Sequence, residues 1–118
     1  MQKRIVVAED DDGIIQVVKL ILESEGYTVL IARTTKEVQT LLSREQVQLL
    51  LLDVSLGGSD GGQLAKMLKQ DTKTQSLPIV IASANSEIEA IVKKSGADGF
   101  LMKPFEIETL LGIVRQYT

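Results

Sequence analysis

Five short apolar runs alternate along the chain with five longer stretches whose apolar residues recur at helical spacing. The runs are Ile5–Ala8, Thr28–Ala32, Leu49–Leu52, Ile79–Ala82 and Gly99–Met102. They are continuously apolar rather than alternating, the pattern of strands buried on both faces. Between them, Ile14, Val18, Ile21 and Leu22 mark one helical face, with Gly26 as its stop. Val38, Leu41 and Leu42 mark a second, with Thr34 or Thr35 as its N-cap. Leu64, Met67 and Leu68 form a third stripe, and Ile88, Ile91 and Val92 a fourth that ends near Gly96. Ile107, Leu110, Leu111 and Val114 form the fifth, entered through Pro104.

Strand then helix, five times over, predicts a single α/β domain spanning residues 1–118. The expected fold is a three-layer doubly wound (βα)5 unit, with helices on both faces of a five-stranded parallel sheet. Right-handed crossovers leave two kinds of arrangement open: strand order 2-1-3-4-5, or another small doubly wound order.

Composition narrows the chemistry by exclusion. The 118 residues contain no cysteine and no histidine. That removes disulfides, thiolate and imidazole metal ligands, Ser-His-Asp catalysis and any phosphohistidine made within this chain. Oxygen is the main ligand type left for a metal, which favours Mg²⁺, Ca²⁺ or Mn²⁺. The net charge is −3 and the basic residues are scattered, so no direct nucleic-acid binding is expected. The first apolar run is only four residues before Glu9 and Asp10, too short for a signal peptide, and no run approaches a membrane span. The expectation is a cytoplasmic protein with no membrane contact.

The polar residues that follow the apolar runs carry the chemistry. Glu9 and Asp10 follow the first, Asp53 follows the third, Ser83 ends the fourth and Lys103 follows the fifth. Open α/β sheets bind ligands beyond the carboxyl ends of their strands, where strand order reverses. Order 2-1-3-4-5 would bring all five residues to one edge. A single acid after a strand is ordinarily a solvated loop residue or helix cap. Asp53 is different, because it follows Leu49–Leu52 with no polar buffer and is poorly solvated unless something pairs with it. Two carboxylates ~4 Å apart repel by ~4 kcal/mol at an effective dielectric near 20. Three such groups together call for a cation, which a divalent ion and the Lys103 ammonium would supply.

At these residues the sequence resembles the receiver domains of two-component response regulators, and does so over its whole length. Ile5-Val-Val-Ala-Glu-Asp-Asp resembles the family's first strand and acidic pair. Leu51-Leu-Asp-Val-Ser-Leu-Gly-Gly-Ser-Asp-Gly resembles its phosphoacceptor strand and loop, and Gly96-Ala-Asp-Gly-Phe-Leu-Met-Lys-Pro-Phe its closing motif. The resemblance implies strand order 2-1-3-4-5, with Asp53 as phosphoacceptor. It also implies Mg²⁺ (or Mn²⁺) on Glu9, Asp10, Asp53 and the Ser55 backbone carbonyl, Asp10 being a direct ligand. Lys103 would bind phosphate, and Ser83, followed by Ala84, would be the switch hydroxyl. Phe100 would be the switch aromatic and Lys103–Pro104 a cis peptide. Ser55 and Asn85 would tune dephosphorylation.

The implied function is a signalling domain that catalyses only its own phosphorylation and dephosphorylation. Its phosphoryl donor would be a sensor histidine kinase or histidine phosphotransfer protein. Its output would be a downstream effector protein or a fused output domain, and its state a monomer, with dimerisation on phosphorylation as an option. The chain reaches Thr118 where the family's last helix should end, which fits either a stand-alone regulator or part of a longer protein.

Three departures stand out. Gly57 occupies a place where the family usually has proline, which should loosen the loop after Asp53. Asp12 and Gly13 replace a proline-containing helix entry. The interval from Ser83 to Lys103 is about two residues short, so the fourth helix should be abbreviated. Simple core packing competes with the switch role for Phe100, and deep packing competes with kinase docking for the apolar first helix, Ile14 and Val17 included. Three other functions compete with the phosphorylated receiver. A flavodoxin-like cofactor binder would put phosphate against Glu9 to Asp12, which repel it. An aspartyl phosphohydrolase would want an acid where Ser55 stands. A degenerate receiver would act as a phosphorylation-independent interaction module.

Overall fold

The computed structural model describes residues 3–118. In chain order the elements are β1 (Arg4–Ala8), α1 (Asp12–Ser24), β2 (Thr28–Ala32), α2 (Thr35–Arg44), β3 (Leu49–Asp53), β4 (Ser55–Leu56), β5 (Ser59–Asp60), α3 (Gly61–Gln70), β6 (Ile79–Ser83), α4 (Ile88–Ser95), β7 (Gly99–Met102) and α5 (Ile107–Tyr117). The main sheet is parallel throughout and runs β2-β1-β3-β6-β7. This is order 2-1-3-4-5 once the small β4–β5 hairpin is set aside, so the resemblance selected the right arrangement.

Period-two geometry divides the apolar strand residues between two layers. Val6, Ala8, Leu50, Leu52, Ile79 and Ile81 face one layer, closed by Val38 of α2, Leu64, Ala65 and Leu68 of α3, and Ile88 of α4. Ile5, Val7, Leu49, Leu51 and Val80 face the other, closed by Val18 and Leu22 of α1 and by Leu110 and Val114 of α5. Burial on both faces is why these strands contain almost no polar residue until their carboxyl ends.

Three expectations about the helices and one about a loop change. α1 is not deeply packed all round: Ile15, Val18 and Leu22 are buried, but Val17 and Leu20 are 53% and 72% exposed. On α3 the buried stripe takes Ala65 rather than Met67, and on α5 it leaves Ile107 exposed. The loop after Asp53 is not loosened. It folds into the antiparallel β4–β5 pair, with Leu56 opposite Ser59 and fully buried. Gly57 and Gly58 make its two-residue turn at φ 55° and 81°, both positive as a type I′ hairpin requires. Proline, fixed near −65°, cannot take that conformation. The fourth helix is short as expected, eight residues. Among the described residues no helix is long and apolar enough to cross a membrane.

Candidate functional site

β1, β3 and β6 deliver their polar residues to one edge because they are parallel and in near register. Asp53 is the last residue of β3, opposite Ala82, and Ser83 is the last residue of β6, opposite Met102. Ser83 ends its strand as expected, and β3 runs one residue past its apolar run to include Asp53. Strand pairing therefore fixes where their backbones sit.

The Asp53 side chain is nearly buried, and Glu9, just after β1, is 4% exposed. Lys103, just after β7, reaches both: its Nζ donates to Glu9 Oε1 at 2.6 Å and to Asp53 Oδ2 at 3.2 Å. The remaining carboxylate oxygens accept backbone N–H groups. Glu9 Oε2 takes those of Asp10 and Asp11, and Asp53 Oδ1 takes that of Ser55 at 3.2 Å. Asp10 is exposed, and its Oδ2 accepts from the Gly57 N–H at 3.1 Å.

These groups shift one another's charge states. Burial of Glu9 pushes its carboxyl pKa up, and the nearby Asp53 charge pushes the same way. The Lys103 hydrogen bond and the Asp11 N–H pull it down without cancelling the rise. Burial alone would lower the Lys103 ammonium, but the Glu9 hydrogen bond and the Asp53 and Glu9 charges outweigh it, so its pKa lies above the ordinary value. The site is rich in negative charge that one lysine only partly compensates.

Glu9, Asp10 and Asp53 each offer one oxygen within 4.8 Å of the others. An all-oxygen set with one solvent-open member is the donor chemistry that hard divalent cations take, with water completing the shell. By this test the residues fit Mg²⁺ or Mn²⁺.

The other predicted residues surround this cluster. The Ser83 hydroxyl is buried and accepts the Asn85 N–H at 3.0 Å, while the Ser83 carbonyl accepts the Lys103 N–H. The Asn85 side chain in turn accepts the Glu87 N–H. The Lys103–Pro104 peptide is cis. Ala84, Lys103, Pro104, Phe105, Ile14 and Val17 line a groove of about 600 Å³ beside the acids. Phe100 stands apart on β7 and is 36% exposed, so the simple core reading of this residue fails. Ser55 is exposed and pairs with Asp60 across the hairpin.

Sequence reasoning missed two backbone features. One is the Gly57 N–H on Asp10, for which the Gly57-Gly58 pair was the available signal. The other is the close approach of Gly61 to Asp53, where an added Cβ would lie 2.2 Å from the Asp53 carbonyl oxygen. Only glycine fits there, and the Gly61 N–H donates to the Val54 carbonyl at 2.7 Å.

The response regulator receiver domain model matches residues 5–115. The DNA-binding dual master transcriptional regulator RpaA of Synechocystis sp. is 34% identical over 114 residues, which cover 95% of this chain and 47% of that protein. The phosphate regulon transcriptional regulatory protein PhoB of Escherichia coli is 32% identical over 117 residues, 98% of this chain and 51% of that one. The chain thus spans about half the length of these curated relatives. Among solved structures, a CheY-like receiver domain protein from Methanospirillum hungatei superposes with a TM-score of 0.88 at 30% identity, covering 98% of this chain and 93% of that one.

Proposed function

Because this chain belongs to the response regulator receiver domain family, we propose that it is a phosphorylated switch whose acceptor is Asp53. The observation that carries the reading is the convergence of Glu9, Asp10 and Asp53 oxygens within 4.8 Å, with the Lys103 ammonium bonded to two of the three carboxylates.

An Asp53 carboxylate oxygen attacks phosphorus, the acyl phosphate bond forms, and the donor's imidazole leaves with the electrons of the broken P–N bond. The donor is a histidine kinase or phosphotransfer protein, since this chain has no histidine. Glu9, Asp10, Asp53 and the Ser55 carbonyl would hold Mg²⁺ or Mn²⁺, which would supply positive charge to the transferring oxygens. Lys103 moves from the carboxylates toward the new phosphoryl oxygens, for which an ammonium is a ready partner. The exposed Val17 and half-buried Ile14, beside the groove at Lys103, support a donor-docking surface there.

The switch follows from differential contact. Ser83 gives up the Asn85 N–H and turns its hydroxyl to the phosphoryl group, drawing the segment at Ala84 inward. Phe100, exposed in the unphosphorylated state, then turns into the space that opens. The output goes to an effector protein or an output domain, and Ser55 and Asn85, flanking the site, set how readily water attacks the acyl phosphate.

NMR spectra with Mg²⁺ and beryllofluoride test the reading. Shifts at Asp53, Ser83 and Phe100 that need both additives and vanish in Asp53→Asn are expected. Unchanged spectra would favour an interaction module that works without phosphorylation.

A further inference from the structure

We infer that Gly57 is a positioning residue for the cation site: its backbone N–H holds Asp10 in the acidic cluster, and metal affinity depends on that bond. The inference rests on reading Glu9, Asp10 and Asp53 as the cation ligands.

The three carboxylates repel one another, and they are not equally compensated. Lys103 donates to Glu9 and Asp53, and backbone N–H groups of Asp10, Asp11 and Ser55 bond the same two side chains. Asp10 is exposed, so nothing packed over it prevents its carboxylate from turning out to water. The hydrogen bond that reaches it comes from Gly57, 47 residues away in sequence, at 3.1 Å.

That donor is aimed by the hairpin. Buried Leu56, paired with Ser59, anchors β4, and the Gly57-Gly58 turn at positive φ points the Gly57 N–H back across the site. A Cβ at Gly57 would stand 3.1 Å from the Arg33 carbonyl oxygen, so the turn is also pressed against the end of β2. Bonding through Oδ2 leaves Asp10 Oδ1 for the metal, with the carboxylate already turned inward. Donors of this kind that orient a metal ligand typically change metal affinity about 10–100-fold when lost.

The test is Mg²⁺ titration by calorimetry on the wild type, Gly57→Pro, Gly57→Val and Gly57→Asn, with thermal unfolding to verify the fold. Proline removes the N–H, and β-branched valine cannot hold the positive φ, so both should weaken Mg²⁺ by roughly tenfold or more. Asparagine keeps the N–H and tolerates positive φ, and its Cβ asks only a few tenths of an ångström of the Arg33 carbonyl, so Gly57→Asn should retain much more of the affinity than proline or valine. If proline fails to fold, the valine variant carries the comparison. Wild-type affinity in a folded proline or valine variant overturns the inference, as does equal weakening by asparagine. A wild type that binds no Mg²⁺ overturns the cation-site reading itself.

Discussion

Lys103 donates to Glu9 at 2.6 Å across 94 residues of sequence, and both side chains are largely buried. Strand order makes the pair possible, because β1 and β7 end on the same edge of the sheet. Removing one partner of such a pair strands the other. Lys103→Met should therefore lower stability at neutral pH by roughly 3 kcal/mol, the low end for a broken buried pair because Glu9, whose carboxyl pKa burial already raises, can respond by taking up a proton. Urea denaturation in metal-free buffer measures it, and an unchanged midpoint would contradict the pairing.

Glu9 gives the site a signed pH dependence. Its folded-state pKa is raised above the ordinary carboxyl value, chiefly by burial. A raised acid binds more protons folded than unfolded, so its contribution to stability is present at low pH and is lost as pH rises through the folded pKa. In metal-free buffer, the stability of the wild type relative to Glu9→Gln should therefore fall as pH rises from the ordinary carboxyl range through the raised value. Denaturation curves across that window, run on both proteins, give the difference. The opposite slope would mean that Lys103 dominates Glu9.

Gly61 is where the start of α3 meets the end of β3. The alanine methyl of Gly61→Ala would collide with the Asp53 carbonyl oxygen, so helix or strand must shift. A loss of about 2–3 kcal/mol is expected, typical of overpacking at a closed site. Denaturant midpoints measure it, and neutrality would show that the contact gives way easily.

Ser83→Ala separates chemistry from switching. The hydroxyl bonds the Asn85 N–H in this state and does not touch Asp53 in the hydrogen-bond network. Labelling of Asp53 by acetyl phosphate should survive the substitution, while the NMR shifts expected at Phe100 should be lost. Retention of those shifts would show that another group carries the signal.

Fold and site were legible to different depths. The apolar runs located all five main strands because central parallel strands bury both faces, leaving no polar interruption to confuse the pattern. Glu9, Asp53 and Lys103 stood out because charge at the end of such a run has to be compensated. The exposed flank of α1 was hidden, since Val17 and Leu20 look the same in sequence whether buried or not. The β4–β5 hairpin was hidden for another reason: two-residue strands carry no periodicity, and a Gly-Gly pair marks a turn without saying what its N–H meets. Gly61 is intelligible only beside the Asp53 carbonyl, a contact that tertiary packing creates.

Intact mass after incubation with Mg²⁺ and acetyl phosphate, beside an Asp53→Asn control, tests the central claim most directly. The predicted result is a gain of one phosphoryl group that requires Mg²⁺ and disappears in the control. No gain in the wild type, or an equal gain in Asp53→Asn, would contradict Asp53 as the acceptor.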